Sequence, residues 1–281
     1  MLTADFAAVQ HRGCALSYTV RGEGPPVLMI QGVGVHGSGW GPQVEALSAR
    51  YRCLSFDNRG LGLSQPRGAA ISVDQMAEDA LALMDAQEWD SAHIVGHSLG
   101  GLIAQHLALS ARSRVRSLSL LCTFSRGRDA LRFSPWIAWV ALRTQLGPRR
   151  LRRYAFLQLV MPLEALAQAD RDTLADRLAL IFGHDLAVQA PVVLRQMAAM
   201  TTYDATPRLH ELAGLPTLIV SAAQDRLAPP VFGRAIAAAI PGSVYVEIPG
   251  ASHGVTIQHA GRINTLLEKH FTDSAVLQEK I

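Results

Sequence analysis

The sequence predicts an α/β fold, a doubly wound sheet of buried parallel strands with helices on its faces. Three observations carry this. Short apolar stretches recur along the chain, continuous at Val27–Ile30 and leucine-rich at Val115–Leu121, with Leu118, Leu120 and Leu121, as buried strands require. Segments with helical spacing of apolar residues alternate with them. One strand-to-helix junction has the form Gly96-His97-Ser98-Leu99-Gly100, the G-x-S-x-G of a tight turn that presents a serine.

Cys14 to Val20 alternates apolar and polar, the pattern of a half-exposed strand. Arg21-Gly22-Glu23-Gly24-Pro25 is turn chemistry and predicts a hairpin-like connection to the Val27–Ile30 strand. A glycine-rich loop, Gln31 to Trp40, follows. It lacks the Gly-Lys-Ser/Thr ending of a phosphate loop, and its glycines suit close approach of backbone N–H groups to a ligand. A short helix to about Arg50 leads to a strand at Arg52–Phe56 and a polar loop from Asp57 to Ser64. Ser72 with Gln75 three residues on predicts a capping box, opening a helix whose face is Met76, Ala80, Leu83 and Met84. Ala92–Val95 is the strand before Ser98, and Leu102–Leu109 the helix after it.

From about residue 124 to 212 the alternation stops. Helical periodicity dominates, broken by Pro135, Pro148, Pro162, Pro191 and Pro207, and the stretch carries an arginine surplus larger than the net charge of the whole chain, +3. This predicts a helical cap (124–212) inserted into a core made of 1–123 and 213–281. Strands resume at Thr217–Ser221 and Val244–Ile248, with helices around Phe232–Ile240 and Gly261–His270.

Composition narrows the function classes. A chain of 281 residues, 49% hydrophobic, has ample core for one large domain and is not disordered. A charge of +3 is too small to argue for a nucleic-acid partner. No apolar run is long enough to span a bilayer, and the first residues lack a secretion signal, so a cytoplasmic location is expected. Cys14, Cys53 and Cys122 are scattered and odd in number, which reads as free packing thiols; neither a metal nor a cofactor is expected.

In such sheets reactive groups collect at the carboxyl ends of the strands. Ser98, the glycine loop, Asp57, Asp225 and His253 all follow predicted strands. A serine hydroxyl needs a neighbouring base, and histidine suits that role near neutral pH. Of ten histidines, His253 in Pro249–Gly254 is placed on the edge that presents Ser98. The acid that orients it is Asp225, with Asp57 as rival; Arg59 beside Asp57 suggests a structural ion pair there. Oxyanion donors are expected from the backbone N–H groups of Leu99, at the helix start, and Val33, in the glycine loop.

Together, Gly22–Pro25, the glycine loop ending in Trp40, Asp57-Asn58-Arg59-Gly60-Leu61-Gly62-Leu63-Ser64, the Ser98 pentapeptide, Gln224-Asp225 and Ser252-His253-Gly254 resemble the α/β-hydrolase superfamily over almost the whole chain. The resemblance implies an eight-stranded, mostly parallel sheet with a helical cap inserted after strand six, the triad Ser98, Asp225 and His253, and oxyanion donors Val33 and Leu99. Many relatives have histidine where this chain has Gln31. A serine nucleophile argues against the relatives that use aspartate there, the haloalkane dehalogenases and epoxide hydrolases. The chain also looks like the 3-oxoadipate enol-lactonases.

Phe133, Trp136 and Trp139 are candidate walls of an apolar substrate pocket. The run Arg149-Arg150-Leu151-Arg152-Arg153 reads first as a solvated helix face, with a substrate carboxylate or an anionic surface as alternatives. The expected activity is cleavage of a small carboxylic ester or lactone through an acyl-enzyme. Carbon–carbon bond hydrolysis and acyl transfer with the same triad are alternatives, as is, from a different class, a small-molecule receptor that kept the fold.

Overall fold

The computed structural model describes residues 6–66, 68, 70–131 and 135–278. Among them an eight-stranded sheet runs in the order β1-β2-β4-β3-β5-β6-β7-β8. The strands are β1 (Ala7–His11), β2 (Cys14–Arg21), β3 (Pro26–Ile30), β4 (Arg52–Phe56), β5 (Ala92–His97), β6 (Val115–Leu121), β7 (Thr217–Ala222) and β8 (Val244–Ile248). Pairing is antiparallel from β1 through β2 to β4 and parallel from there to β8.

Side chains alternate across each strand, which explains why the central runs are apolar throughout. In β3, Leu28 and Ile30 enter one core layer, while Val27 and Met29 enter the other. The first layer is closed by α2 (Val73–Ala86), α3 (Leu99–Ser110) and α9 (Pro230–Ala239); the second by α1 (Gly41–Leu47) and α11 (Ala260–Gln278). Both faces of a parallel sheet are therefore dry. Cys14, Cys53 and Cys122 are free and buried in these layers. Burial pushes the Cys53 thiol up to about 12, as a packing thiol requires.

Two local expectations change. The turn at Arg21–Pro25 does not close a hairpin, because β2 pairs with β4 and β3 lies beyond it. The strand β1 is unexpected: it is a five-residue edge strand, Ala7–His11, mostly exposed and without apolar–polar alternation. The Ser72 hydroxyl caps α2 by accepting from the Gln75 N–H at 3.0 Å, but the Gln75 side chain turns to Glu78 instead of completing the box.

Between β6 and β7 lie α4 (Pro135–Gln145), α5 (Arg149–Val160), α6 (Leu163–Gln168), α7 (Arg171–Phe182) and α8 (Val192–Thr201). They have a small core of their own, built on Leu157, Leu166, Leu178, Phe182 and Leu186. The four-residue α10 (Val255–Gln258) follows β8 and precedes α11. Among the described residues no helix is long and apolar enough to cross a membrane.

Candidate active site

Ser98 sits between β5 and α3 at φ 55°, ψ −119°, a conformation that costs energy for any residue with a Cβ. The surroundings enforce it. A Cβ on Gly96 would collide with the Gly100 carbonyl, and one on Gly100 with the Ile30 carbonyl, so the turn closes only with glycine at both. The Ser98 N–H donates to Leu121 O at 3.0 Å. Its carbonyl accepts from the Thr123 hydroxyl at 2.7 Å and from Gly101 N–H at 2.9 Å. The Ser98 hydroxyl makes no helix-capping bond, and Leu99 is the first residue of α3, where an N–H has no acceptor within the helix.

His253 lies in the loop after β8. Its Nδ1 is 2.7 Å from Asp225 Oδ2, with the aspartate side chain fully buried. Because the carboxylate accepts, Nδ1 carries the proton and Nε2 is left as the basic nitrogen. Asp225 Oδ1 takes the N–H groups of Leu227 and Ala228 at 2.8 and 2.9 Å. Burial pushes the Asp225 carboxyl up, but the His253 charge and these hydrogen bonds outweigh it, and its pKa falls below the usual value. The acid is thus ionised and aimed.

The histidine loop is tied to the strand that precedes the serine by a residue that sequence reasoning passed over. His97, the neighbour of Ser98, donates from Nε2 to the His253 carbonyl at 2.9 Å, and the two rings lie 4.9 Å apart. Burial lowers the His97 pKa to about 3, so the ring is neutral. Thr123 was missed in the same way. A polar residue inside a motif of small residues was the available signal for His97; Thr123 offered none.

The glycine loop abuts the serine: a Cβ on Gly32 would lie 3.5 Å from Ser98 Oγ. Gly32 N–H donates to Gln31 Oε1 at 3.2 Å, Gly34 N–H to Gln196 Oε1 at 2.9 Å, and Val35 N–H to Gly32 O at 3.4 Å. Among the described residues, Val33 is the member of this turn whose N–H has no acceptor. In a turn closed between its first and fourth residues, that second N–H points away from the closing bond.

Asp57 belongs to a different structure. Its Oδ1 accepts Gly37 N–H at 2.8 Å and its Oδ2 accepts Leu63 N–H at 2.9 Å. The ion pair expected between Asp57 and Arg59 is not formed. Arg59 reaches α2 and binds Asp79 through two nitrogens, both at 2.6 Å, with His11 Nδ1 on the same carboxylate at 2.8 Å. Side chains two apart in a turn diverge, which adjacency in sequence conceals.

In the insertion, Phe133 lies outside the described residues. Trp136 is half-buried, and the Arg226 guanidinium, next to Asp225, sits 4.3 Å from its ring centroid. Trp139 does not form a pocket wall: it is 58% exposed, with Arg143 against it. The buried face of α4 is Ile137, Val140 and Thr144, and Trp139 falls on the opposite phase. Three residues of the arginine run are paired with the acids of α7 and the loop after it: Arg149 with Asp185, Arg150 with Asp172, and Arg153 with Asp176 and Asp185. Among the described residues no group of three or more metal-ligating side chains converges.

Comparison with known proteins places this geometry. A family model described as alpha/beta hydrolase fold matches residues 25–260. A protein of Azorhizobium caulinodans provisionally named carbamate hydrolase RutD is 30% identical over 261 residues, covering 92% of this chain and 95% of its own. A Mycobacterium tuberculosis protein provisionally named non-heme bromoperoxidase BpoC is 31% identical over 265 residues, covering 91% and 97%. The crystal structure of the enol-lactonase from Burkholderia xenovorans superposes with a TM-score of 0.80 at 26% identity, covering 95% of this chain and all of that one.

Proposed function

This chain belongs to the alpha/beta hydrolase fold family, and we propose that it is a serine hydrolase cleaving a small carboxylic ester or lactone through an acyl-enzyme on Ser98. The observation that carries the reading is the buried Asp225–His253 contact of 2.7 Å, its histidine loop tied by a hydrogen bond to His97, the residue before a serine in a strained turn. In the proposed reaction His253 Nε2 takes the Ser98 proton as Oγ attacks the substrate carbonyl. The oxyanion accepts from the Val33 and Leu99 N–H groups. Collapse of the tetrahedral intermediate expels the alkoxide, which leaves as an alcohol after receiving the proton from His253. Water then repeats the sequence on the acyl-enzyme and returns Ser98.

Residues 124–212 act in this reading as a lid over the core formed by 1–123 and 213–281, and Trp136 is its candidate contact with the acyl group. The relatives' names span carbamate and lactone substrates, which share a carbonyl open to the same attack. A fluorophosphonate probe tests the assignment directly. The wild-type protein labels on the peptide bearing Ser98, Ser98→Ala does not label and loses nearly all turnover of p-nitrophenyl esters, and a panel of acyl esters, lactones and aryl carbamates ranks the substrates. A protein that binds such compounds with no Ser98-dependent turnover is a receptor, and the hydrolase reading falls.

A further inference from the structure

We propose that two side chains of the helical insertion, Gln196 and His184, are positioning residues for the oxyanion-binding turn: together they clamp Gly34 and so hold the Val33 N–H toward Ser98. The inference rests on the hydrolase reading above and extends it to a part of the chain that carries no member of the triad.

The turn Gly32–Val35 holds itself poorly. Its closing bond, Val35 N–H to Gly32 O, is 3.4 Å long, beyond the usual range for a backbone hydrogen bond. Gly34 has φ +69°, and a glycine at such a position has wide backbone freedom. The orientation of the turn must therefore be set from outside. Gln196 Oε1 accepts the Gly34 N–H at 2.9 Å. His184 Nε2 lies 3.1 Å from the Gly34 carbonyl and Nδ1 3.0 Å from the Asp185 carbonyl; in the tautomer with the proton on Nε2 the ring donates to Gly34. One side chain comes from α8 and the other from the segment after α7, so both polar groups of one residue are gripped by the insertion. On the other flank Gln31 Oε1 holds the Gly32 N–H at 3.2 Å. Val33 lies between two fixed peptide groups.

Gln196 itself is anomalous as a packing residue. It is fully buried on a helix face shared with Val192, Ala199 and Met200, and its Nε2 has no partner. Half of a buried amide is left unsatisfied, a cost that an apolar side chain of equal length would avoid. What this amide does do is accept, through its oxygen, the Gly34 N–H. His184 is anchored in turn by ring contact with His36 of the same loop, centroids 5.2 Å apart. A donor that is present but misaimed loses much of its effect on a transition state, because stabilisation of the oxyanion depends on donors already in place.

The test compares Gln196→Met, which keeps length and loses the acceptor, with Gln196→Glu, which keeps an acceptor oxygen, and with His184→Phe. Steady-state turnover of a p-nitrophenyl ester and amide hydrogen exchange of the peptide spanning residues 32–35 are read on each. Gln196→Met is expected to lower kcat by about tenfold or more with KM within about twofold and the thermal midpoint near wild type. Exchange in the turn accelerates, Gln196→Glu restores most of kcat, and His184→Phe shows a smaller loss of the same kind. Unchanged exchange in both Gln196→Met and His184→Phe overturns the clamp, and so does faster exchange with kcat unaltered. Should Gln196→Met fail to fold, His184→Phe and the Glu variant decide by the same readouts. Wild-type protein without ester turnover removes the hydrolase reading on which the proposal rests, a result separate from any difference among variants.

Discussion

The carboxyl edge of the sheet and the helical insertion above it hold their side chains by different means. At the edge the holding groups are mostly backbone amides close in sequence. Asp225 takes the N–H groups of residues two and three ahead, and Asp57 takes that of Leu63, six ahead. Ser98 is fixed by its own strained turn and the strand beside it. In the insertion the holding groups are side chains more than twenty residues apart, the arginines of α5 reaching the acids of α7 and its following loop. The Arg149 and Arg150 pairs lie at the surface and contribute little each, up to about 1 kcal/mol; Arg153 is buried and held by both Asp176 and Asp185, but the insertion's own core is small. The edge is therefore set as soon as the strands pair, while the insertion can yield. Chemistry belongs on the first and adjustment to a substrate on the second.

The sharpest way to break this contrast is to change the two edge aspartates. Asp225→Asn leaves the shape but offers His253 Nδ1 an ambiguous partner, so the imidazole loses its fixed tautomer. A fall in kcat of roughly 10³ to 10⁴ is expected, with little change in folding. Asp57→Asn removes one of two acceptors for backbone N–H groups and should lower the thermal midpoint while costing activity less than about tenfold. Steady-state kinetics and thermal unfolding on both variants decide it. Equal losses of kcat would mean that Asp57 shares the catalytic role.

Acid should attack the core first. Burial lowers His97 and His93 to about 3 and His270 to about 4, from an ordinary value near 6.5. The unfolded chain takes up these protons as pH falls below about 6.5, whereas the folded chain does not until about 4 or lower. Stability from these groups is thus complete above pH 6.5 and lost as pH falls through the window below it. Each contributes a slope of about 1 kcal/mol per pH unit there. Urea unfolding at pH 7, 6 and 5 measures the sum together with that of His36 and His106, which burial also lowers, and His93→Phe should reduce the slope by about 1 kcal/mol per pH unit. A stability that is level between pH 7 and 5 would show that the rings are charged in the folded protein.

The same contrast governs what could be read in the sequence. β4 and β6 were legible to the residue because strands between two cores keep a dense share of apolar side chains, and the Asp225–His253 contact was legible because each residue comes soon after such a strand. β1 was not legible, since an exposed edge strand has no buried face to impose an apolar–polar alternation. His97 and Thr123 act through hydrogen bonds that closure of the sheet creates; a polar residue among the small ones of its motif was the one mark on His97, and nothing marks Thr123. Gln196 did leave a trace: it falls on the apolar phase of α8, four residues after Val192 and four before Met200, where a polar side chain is out of place. The arginine run read as a solvated face, and pairing with Asp172, Asp176 and Asp185 became visible only once α5 and α7 packed together.

The smallest expected effect concerns the two tryptophans of α4, which separate the inner and outer faces of the insertion. Trp139 is mostly in solvent, so Trp139→Ala should leave kcat/KM within about twofold. Trp136 lies against Arg226 at 4.3 Å, a contact worth about 0.5–1 kcal/mol at an exposed site. If Trp136 lines the acyl pocket, Trp136→Ala raises KM and leaves kcat alone. If it acts by steadying the loop that carries Asp225, kcat falls and KM does not, and Arg226→Ala produces the same split. A larger effect at Trp139 than at Trp136 would put the substrate on the outer face of α4, and the insertion would then not be a lid over Ser98 at all.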